Sequence, residues 1–305
     1  MTHLLIDGGH LIRRVAYTAQ GSLRTSSGEP SGIAHGFFSS LIYLSKLYKG
    51  NAKALVAFDS GKSEFRSKIY PDYKSQREDI TSPDYTGPDI HTAKKYIFEV
   101  LNTAGIPCFM SPGIEADDFI AALSFLYPED SVIISSDRDF LQLITETVKM
   151  YDPIRKITYD LNSVVDGKYD RECWLDQLIF HISICGDKDE VPQVCKGLGY
   201  ERALPFAKAL SYGCPLPNNK YTDTVLNSLD DIERNISLFD LRVSTQELKE
   251  VLMREISSFS PPEKGGIELE MQVYSLLSKW ELKSVSKNVR DLLSLRFKNK
   301  IVEKF

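Results

Sequence analysis

His3-Leu4-Leu5-Ile6-Asp7-Gly8-Gly9 is a short apolar run that ends on an acid and two glycines, the punctuation of a buried strand leaving a sheet. The same grammar returns twice. Ala54-Leu55-Val56-Ala57-Phe58 ends on Asp59-Ser60-Gly61, and Ser131-Val132-Ile133-Ile134-Ser135-Ser136 ends on Asp137-Arg138-Asp139. Pro107-Cys108-Phe109-Met110 reads as a fourth strand. Between these runs the apolar spacing predicts helices over roughly 32–48, 90–104 and 116–127. Strands alternating with helices specify an α/β fold with a largely parallel central sheet flanked by helices. Ligands of such sheets bind beyond the carboxyl ends of the strands, and Asp7, Asp59, Asp137 and Asp139 would all emerge there.

Working outward, residues 61–89 interrupt the pattern, being rich in Lys, Arg, Asp, Ser, Tyr and Pro. A stretch of that length inside a compact domain is usually functional or mobile. After Asp187 the pattern turns helical, with a turn at Lys196-Gly197-Leu198-Gly199 leading into a helix over Glu201–Leu210, and connections at 215–222 and 257–266. The expected organisation is an α/β domain over 1–185 and a helical C-terminal domain over 186–305. The basic run from Leu293 to Phe305, with Arg296, Lys298, Lys300 and Lys304, is expected as a solvated helix rather than a duplex contact or a docking tail.

Hydrophobic residues at 42% and charged residues at 26% leave apolar surface for a sizeable core and argue against wholesale disorder. Five widely spaced cysteines with no CxxC pair suggest reduced thiols. With neither a signal-like start nor a long apolar span, the expectation is a cytoplasmic chain with no membrane partner. The net charge of −5 argues at first against a polyanion partner. Acids gathered on metal ions would leave the remaining surface nearly balanced.

The acids have a structural explanation as well as a chemical one. Glu115-Ala116-Asp117-Asp118 opens an apolar helix, where the helix dipole favours negative charge. Asp137 is a good cap for the segment that follows it, yet one cap accounts for only one member of Asp137-Arg138-Asp139. Asp187, Asp189 and Glu190 form an acidic turn. Three strand ends, a helix start and a turn meeting at one sheet edge would repel one another or stay protonated unless cations intervene. Hard carboxylate oxygens without a Cys and His ligand pattern select Mg²⁺ or Mn²⁺. Two such ions about 4 Å apart activate a water and stabilise a departing oxyanion, the chemistry of phosphodiester hydrolysis.

In this order the motifs resemble the 5′-nuclease superfamily of flap endonucleases and 5′-3′ exonucleases, over about residues 3–210. Leu4–Gly8, Ala57–Asp59, Gly113–Asp118 and Ser135–Asp139 are similar to its metal-binding segments. By length and by the Lys188-containing turn the chain is most similar to the phage ribonuclease H branch. The resemblance implies Asp59, Glu115, Asp117, Asp118 and Asp137 at a first metal, Asp139 and Asp187 at a second, and Asp7 bridging or holding waters nearby. The family usually has Gly-Asp-x-x-Asp-Asn where this chain has Gly186-Asp187-Lys188-Asp189-Glu190. Helical spacing favours Glu190 as the last ligand; keeping an aspartate favours Asp189.

Phe65-Arg66, Tyr73-Lys74 and Arg77 resemble the helical arch that follows the second acidic strand, implying that Arg66, Tyr73, Lys74 and Arg77 contact a threaded single strand by stacking and phosphate contacts. Lys74 and Arg77 would act in the reaction beside Asp7. Gly197 and Gly199 resemble the helix-three-turn-helix (about 186–210), whose amides would grip duplex phosphates, with K⁺ assisting there and Lys208 adding a contact. The implied function is removal of RNA primers during DNA replication by cleavage at 5′ ends or flaps of DNA and RNA–DNA duplexes. Implied partners are single-strand-binding protein and sliding clamp. Two other classes fit parts of the pattern. A DNA-structure-binding protein without catalysis accommodates the altered acidic turn, and a Mg²⁺-dependent small-molecule phosphatase accommodates strand-end aspartates without needing an arch.

Overall fold

The computed structural model describes residues 1–18, 22–75, 89–165, 168–187 and 190–301. Six strands, β1 (Thr2–Asp7), β2 (Ala52–Ala57), β3 (Cys108–Phe109), β4 (Ser131–Ile134), β5 (Val148–Asp152) and β6 (Ile157–Tyr159), form one sheet in the order β3-β2-β1-β4-β5-β6. All neighbours pair in parallel except β5 and β6. Asp7 stands opposite Ala57, and Ile6 opposite both Val56 and Ile134. The three central strands therefore end level, and the acids just beyond them share one rim. The four expected strands are present. β5 and β6 extend the sheet beyond them.

Before the acidic turn the helices are α1 (Gly8–Ala16), α2 (Gly32–Leu47), α3 (Glu64–Ile69), α4 (Ile90–Ala104), α5 (Ala116–Leu126), α6 (Leu161–Val165) and α7 (Trp174–Cys185). A 3-10 helix, Arg138–Leu143, follows β4. After the turn come α8 (Tyr200–Ser211), α9 (Thr222–Leu226), α10 (Leu229–Phe239), α11 (Leu241–Glu247), α12 (Lys249–Ser257), α13 (Gly266–Lys279), α14 (Lys283–Ser286) and α15 (Val289–Ser294). The helices anticipated at 32–48, 90–104, 116–127 and 201–210 all form. No helix among the described residues is long and apolar enough to cross a membrane.

Gly8-Gly9, the punctuation at the end of the first strand, also opens α1 without a break. Phe58 requires glycine at position 8, because a Cβ there would lie 2.4 Å from its ring. Over its described part, 293–301, the basic run near the end is not a solvated helix: α15 stops at Ser294, Leu295 is buried, and Phe297 and Ile301 pack in the core, while Lys304 lies outside the described residues.

Two apolar layers cover the sheet. On one face α2 and α4 pack with Leu269, Val273, Leu277, Leu282 and Leu292 from α13–α15 and their connections. On the other, α5 packs with Leu241, Leu252, Ile256 and Ile301. Residues beyond 240 thus complete both cores, and the packing does not divide at 185. A separate cluster joins α7, α8 and α9 through Ile184, Leu198, Phe206 and Val225.

Candidate active site

Each strand-end acid is fixed by a local backbone device. Asp7 caps α1, its Oδ1 accepting from the His10 amide at 2.8 Å while Oδ2 accepts from Ser135 Oγ at 3.1 Å. Asp59, two residues past β2, accepts from the Ala116 amide at 3.0 Å and pairs with Arg13 of α1 at 3.0 Å. Asp137 caps the 3-10 helix by accepting from the Asp139 amide at 3.1 Å. Glu115 and Asp118 form the reciprocal capping box of α5. Capping and clustering are therefore compatible, because a carboxylate has lone pairs enough for both.

The acids lie within one another's fields. Burial, then Asp59, pushes the Asp7 carboxyl up to about 7. Burial also raises Asp117 well above the carboxylate range, with Asp137, Asp59 and Glu115 adding to it and Lys74 opposing. Asp139 is raised in the same way by burial and by Asp137, Glu190 and Asp187. For Asp59 burial acts upward too, but the Ala116 amide, Arg13, Lys74 and Lys94 outweigh it and its carboxyl lies below the ordinary range. Asp7, Asp59, Glu115, Asp117, Asp137, Asp139, Asp187 and Glu190 are thus brought together. Asp189 lies outside the described residues.

Asp118 departs from the expected ligand set. It is fully buried, both its oxygens accept from Arg66 at 2.9 and 3.0 Å, and Oδ1 also accepts from Ser244 at 2.7 Å. It anchors an arginine, and its Oδ2 also accepts from the Glu115 amide at 3.3 Å. Arg66 is displaced from its expected role for the same reason. Ser63 caps α3 and turns Arg66 inward, where it is 2% exposed and bonds Glu115, Asp118 and the Leu238 carbonyl. A side chain so enclosed cannot stack on or pair with a nucleic acid.

Tyr73 is likewise buried. Its hydroxyl donates to Glu115 at 3.1 Å and to Glu190 at 3.3 Å. Its place is structural support of the acids rather than a stacking surface. Lys74 sits between the same two carboxylates, 2.7 Å from Glu115 and 3.1 Å from Glu190. Its φ of 52° is left-handed backbone, uncommon for a side-chain-bearing residue and a frequent mark of functional positions. Arg77 lies outside the described residues.

The described residues that flank the acidic turn do not pair as a helix. Asp187 and Val191 exchange backbone hydrogen bonds in an antiparallel bridge, and Gly186, at φ 70°, lies so close under the returning chain that a Cβ would meet the Gln193 amide at 2.6 Å. The helical-spacing argument for Glu190 therefore does not apply. Farther on, Gly197 at φ 85° presents its carbonyl to Arg202 and Tyr221, and Gly199 caps α8 with open space beside it. Lys208, on α8, pairs with Asp170 at 3.0 Å.

Several rim residues escaped the sequence reading. Arg13 lies on α1, a helix that the strand-and-helix pattern does not announce although Leu11, Ile12, Val15 and Ala16 carry helical spacing. Lys94 donates to the Asp59 carbonyl and lies over the Phe58 ring, 5.5 Å from its centroid. Gly9 leaves the gap between the first two acids open: a Cβ would stand 3.3 Å from Asp59 Oδ2 and 3.6 Å from Asp7 Oδ1.

Among the described residues no three His, Cys, Asp or Glu side chains already converge as a closed ligand set. Protein cations hold several of the oxygens instead. The donor chemistry nonetheless fits hard divalent ions, with carboxylates in mutual repulsion around a gap that glycine keeps open. A mostly parallel sheet with this acid-rich rim defines a hydrolase of the metal-dependent nuclease class.

The chain's relatives place it within that class. Residues 2–170 match the family model of the 5′-3′ exonuclease N-terminal resolvase-like domain. The 5′-3′ exonuclease of Buchnera aphidicola from Acyrthosiphon pisum is 32% identical over 66% of this chain and 68% of its own. That of Aquifex aeolicus is 33% identical over 68% and 69%. The DNA polymerase I of Caldicellulosiruptor bescii is 31% identical over 69% of this chain but only 25% of its own length. Among solved structures the bacteriophage T5 D15 protein with metal ions has a TM-score of 0.61 at 22% identity, covering 97% of this chain and 99% of that one. Flap endonuclease-1 of Methanococcus jannaschii has a TM-score of 0.60 at 18% identity, covering 96% and 92%. The chain belongs to the 5′-3′ exonuclease family.

Proposed function

We propose that this chain hydrolyses phosphodiesters at the 5′ ends and flaps of DNA and RNA–DNA duplexes, using two Mg²⁺ ions for which Mn²⁺ substitutes. The observation that carries the reading is the gathering of Asp7, Asp59, Asp117, Asp137 and Asp139 at one sheet rim, where burial and mutual repulsion raise three of them. Ions bound there would activate a water and offset charge on the departing oxygen. Asp59, Asp117 and Asp137 would hold one ion, and Asp139 and Asp187 the other. Asp7 would lie between them, with Glu190 or Asp189 completing the set.

Lys74 would counter the repulsion between the substrate phosphate and the acids, a role in keeping with its seat between Glu115 and Glu190. The 197–199 turn and the start of α8 would hold duplex phosphates, with K⁺ at the turn and Lys208 alongside. Relatives named DNA polymerase I support a replicative setting, primer removal in the cytoplasm, with single-strand-binding protein and clamp as partners. The phosphatase reading has nothing comparable in its favour.

End-labelled flap, nicked and RNA–DNA hybrid substrates incubated with Mg²⁺, and in parallel with EDTA, test the reading. Cleavage from the 5′ end that EDTA abolishes is expected, and Asp137→Asn should lower turnover by orders of magnitude without unfolding the protein. Intact substrates under every metal condition would overturn it.

A further inference from the structure

A second concave surface lies at the opposite end of β2. Lys53 is the second residue of this strand and Asp59 lies two residues past its end, about 20 Å apart at the usual rise of an extended chain. The groove there, of about 490 Å³, is lined by Lys53, Arg290, Arg296 and Lys298, with Glu270 the acid among them. Lys53 donates to the Ser294 carbonyl at 2.9 Å, and burial together with Lys298 and Arg296 holds its ammonium below the usual range. Arg290 reaches Glu270 at 2.9 Å, yet its side chain is 83% exposed. Four cations against one acid leave the groove positive within a chain whose net charge is −5.

An adjoining groove of about 310 Å³ is apolar in character and formed on α13 by Ile267, Met271 and Tyr274. These are spaced four and three residues apart, hence on one helix face, and are 74%, 67% and 51% exposed. The opposite face, Leu269, Val273 and Leu277, is fully buried in the core. α13 therefore has two apolar faces, of which the core of the described residues buries one.

We propose that these joined grooves form a docking site for an acidic peptide segment of another protein that carries bulky apolar side chains. Its carboxylates would rest on Lys53, Arg296 and Lys298, and its apolar side chains on Ile267, Met271 and Tyr274. Charge complementarity selects an anion, and the apolar stripe selects among anions. A nucleic-acid backbone satisfies the cations but gains nothing from burying an isoleucine and a methionine beside them. The site's distance from the acid rim leaves a partner free to bind while the nuclease engages its substrate.

The test uses the full chain and three fluorescein-labelled octapeptides. One alternates Glu or Asp with Leu and Phe, one replaces Leu and Phe by Ser at equal charge, and one replaces the acids by Gln. Saturable anisotropy is expected for the first alone, with at least tenfold weakening in R296E/K298E and, separately, in Met271→Asp. Both variants should cleave a 5′ flap at the wild-type rate, which also reports folding; Met271, being mostly exposed, keeps the test open if the double variant misfolds. Equal binding of the Ser peptide would mean a polyanion patch only and overturn the proposal. So would no saturation up to about 1 mM. Loss of duplex DNA affinity in R296E/K298E, with the peptide displaced by duplex, would assign the groove to nucleic acid and overturn it too.

Discussion

Arg66 gives three hydrogen bonds to two buried carboxylates. Removing one partner of a buried, hydrogen-bonded ion cluster typically costs about 3–5 kcal/mol. Arg66→Ala should therefore lower the urea midpoint sharply, while the fraction still folded binds duplex DNA as before; unchanged stability with weakened DNA binding would return Arg66 to the surface. Gly9→Ala should do the opposite. Alanine in a helix favours stability by about 0.5–1 kcal/mol over glycine, so melting should hold or rise, but the new methyl intrudes between Asp7 and Asp59 and should raise the Mg²⁺ requirement of cleavage. A melt and a metal titration on one preparation separate these outcomes. At this scale the acids were legible because strand ends announce them. Arg66, Tyr73 and Asp118 were not, since nothing in their local sequence says that a tertiary cage will close over them.

Among the elements, α7 and α8 depend on His181. Its Nε2 donates to the Tyr200 carbonyl at 2.6 Å, so Nδ1 is the acceptor of the Tyr169 hydroxyl at 2.9 Å, which fixes the neutral ring by its hydrogen-bond network. Burial, then Lys168, pushes the imidazole from its ordinary 6.5 down to about 4. Above pH 6.5 both folded and unfolded chains carry the neutral ring, and its contribution is complete. As pH falls from 6.5 toward 4 only the unfolded chain takes up the proton, so stability is lost on acidification. The urea midpoint should fall across this window less steeply in His181→Gln than in the wild type; parallel profiles would remove His181 as the cause. Helices with clear apolar spacing, α2, α4 and α5, were readable from sequence. α1 was hidden by its two glycines, which are there for Phe58 and for the rim rather than for a turn. β5 and β6 passed unnoticed because β5 carries an exposed Lys149 inside a short apolar run and β6 is a three-residue strand with no buried residue.

Across the whole molecule, the helices beyond 240 are covering layers of the sheet. A chain ended at residue 240 would lose Leu241, Leu252 and Ile256 from one core and Leu269, Val273 and Leu277 from the other. It should fail to give a cooperative urea transition, whereas a detachable lobe would leave a folded, cleaving remainder. The pattern of strands and helices gave the parallel sheet away, but not this reciprocity, because an apolar helix face does not say which surface it will meet. The last described segment is joined to the first layers directly: the Ala54 amide donates to the Leu295 carbonyl, and the Phe297 amide to the Gly105 carbonyl, both at 2.9 Å. Contacts spanning nearly the whole chain close late. During translation, then, the acids of the rim leave the ribosome long before the residues that seat their scaffold. A nascent chain thus carries the acids of the rim before it has the packing that holds them in place.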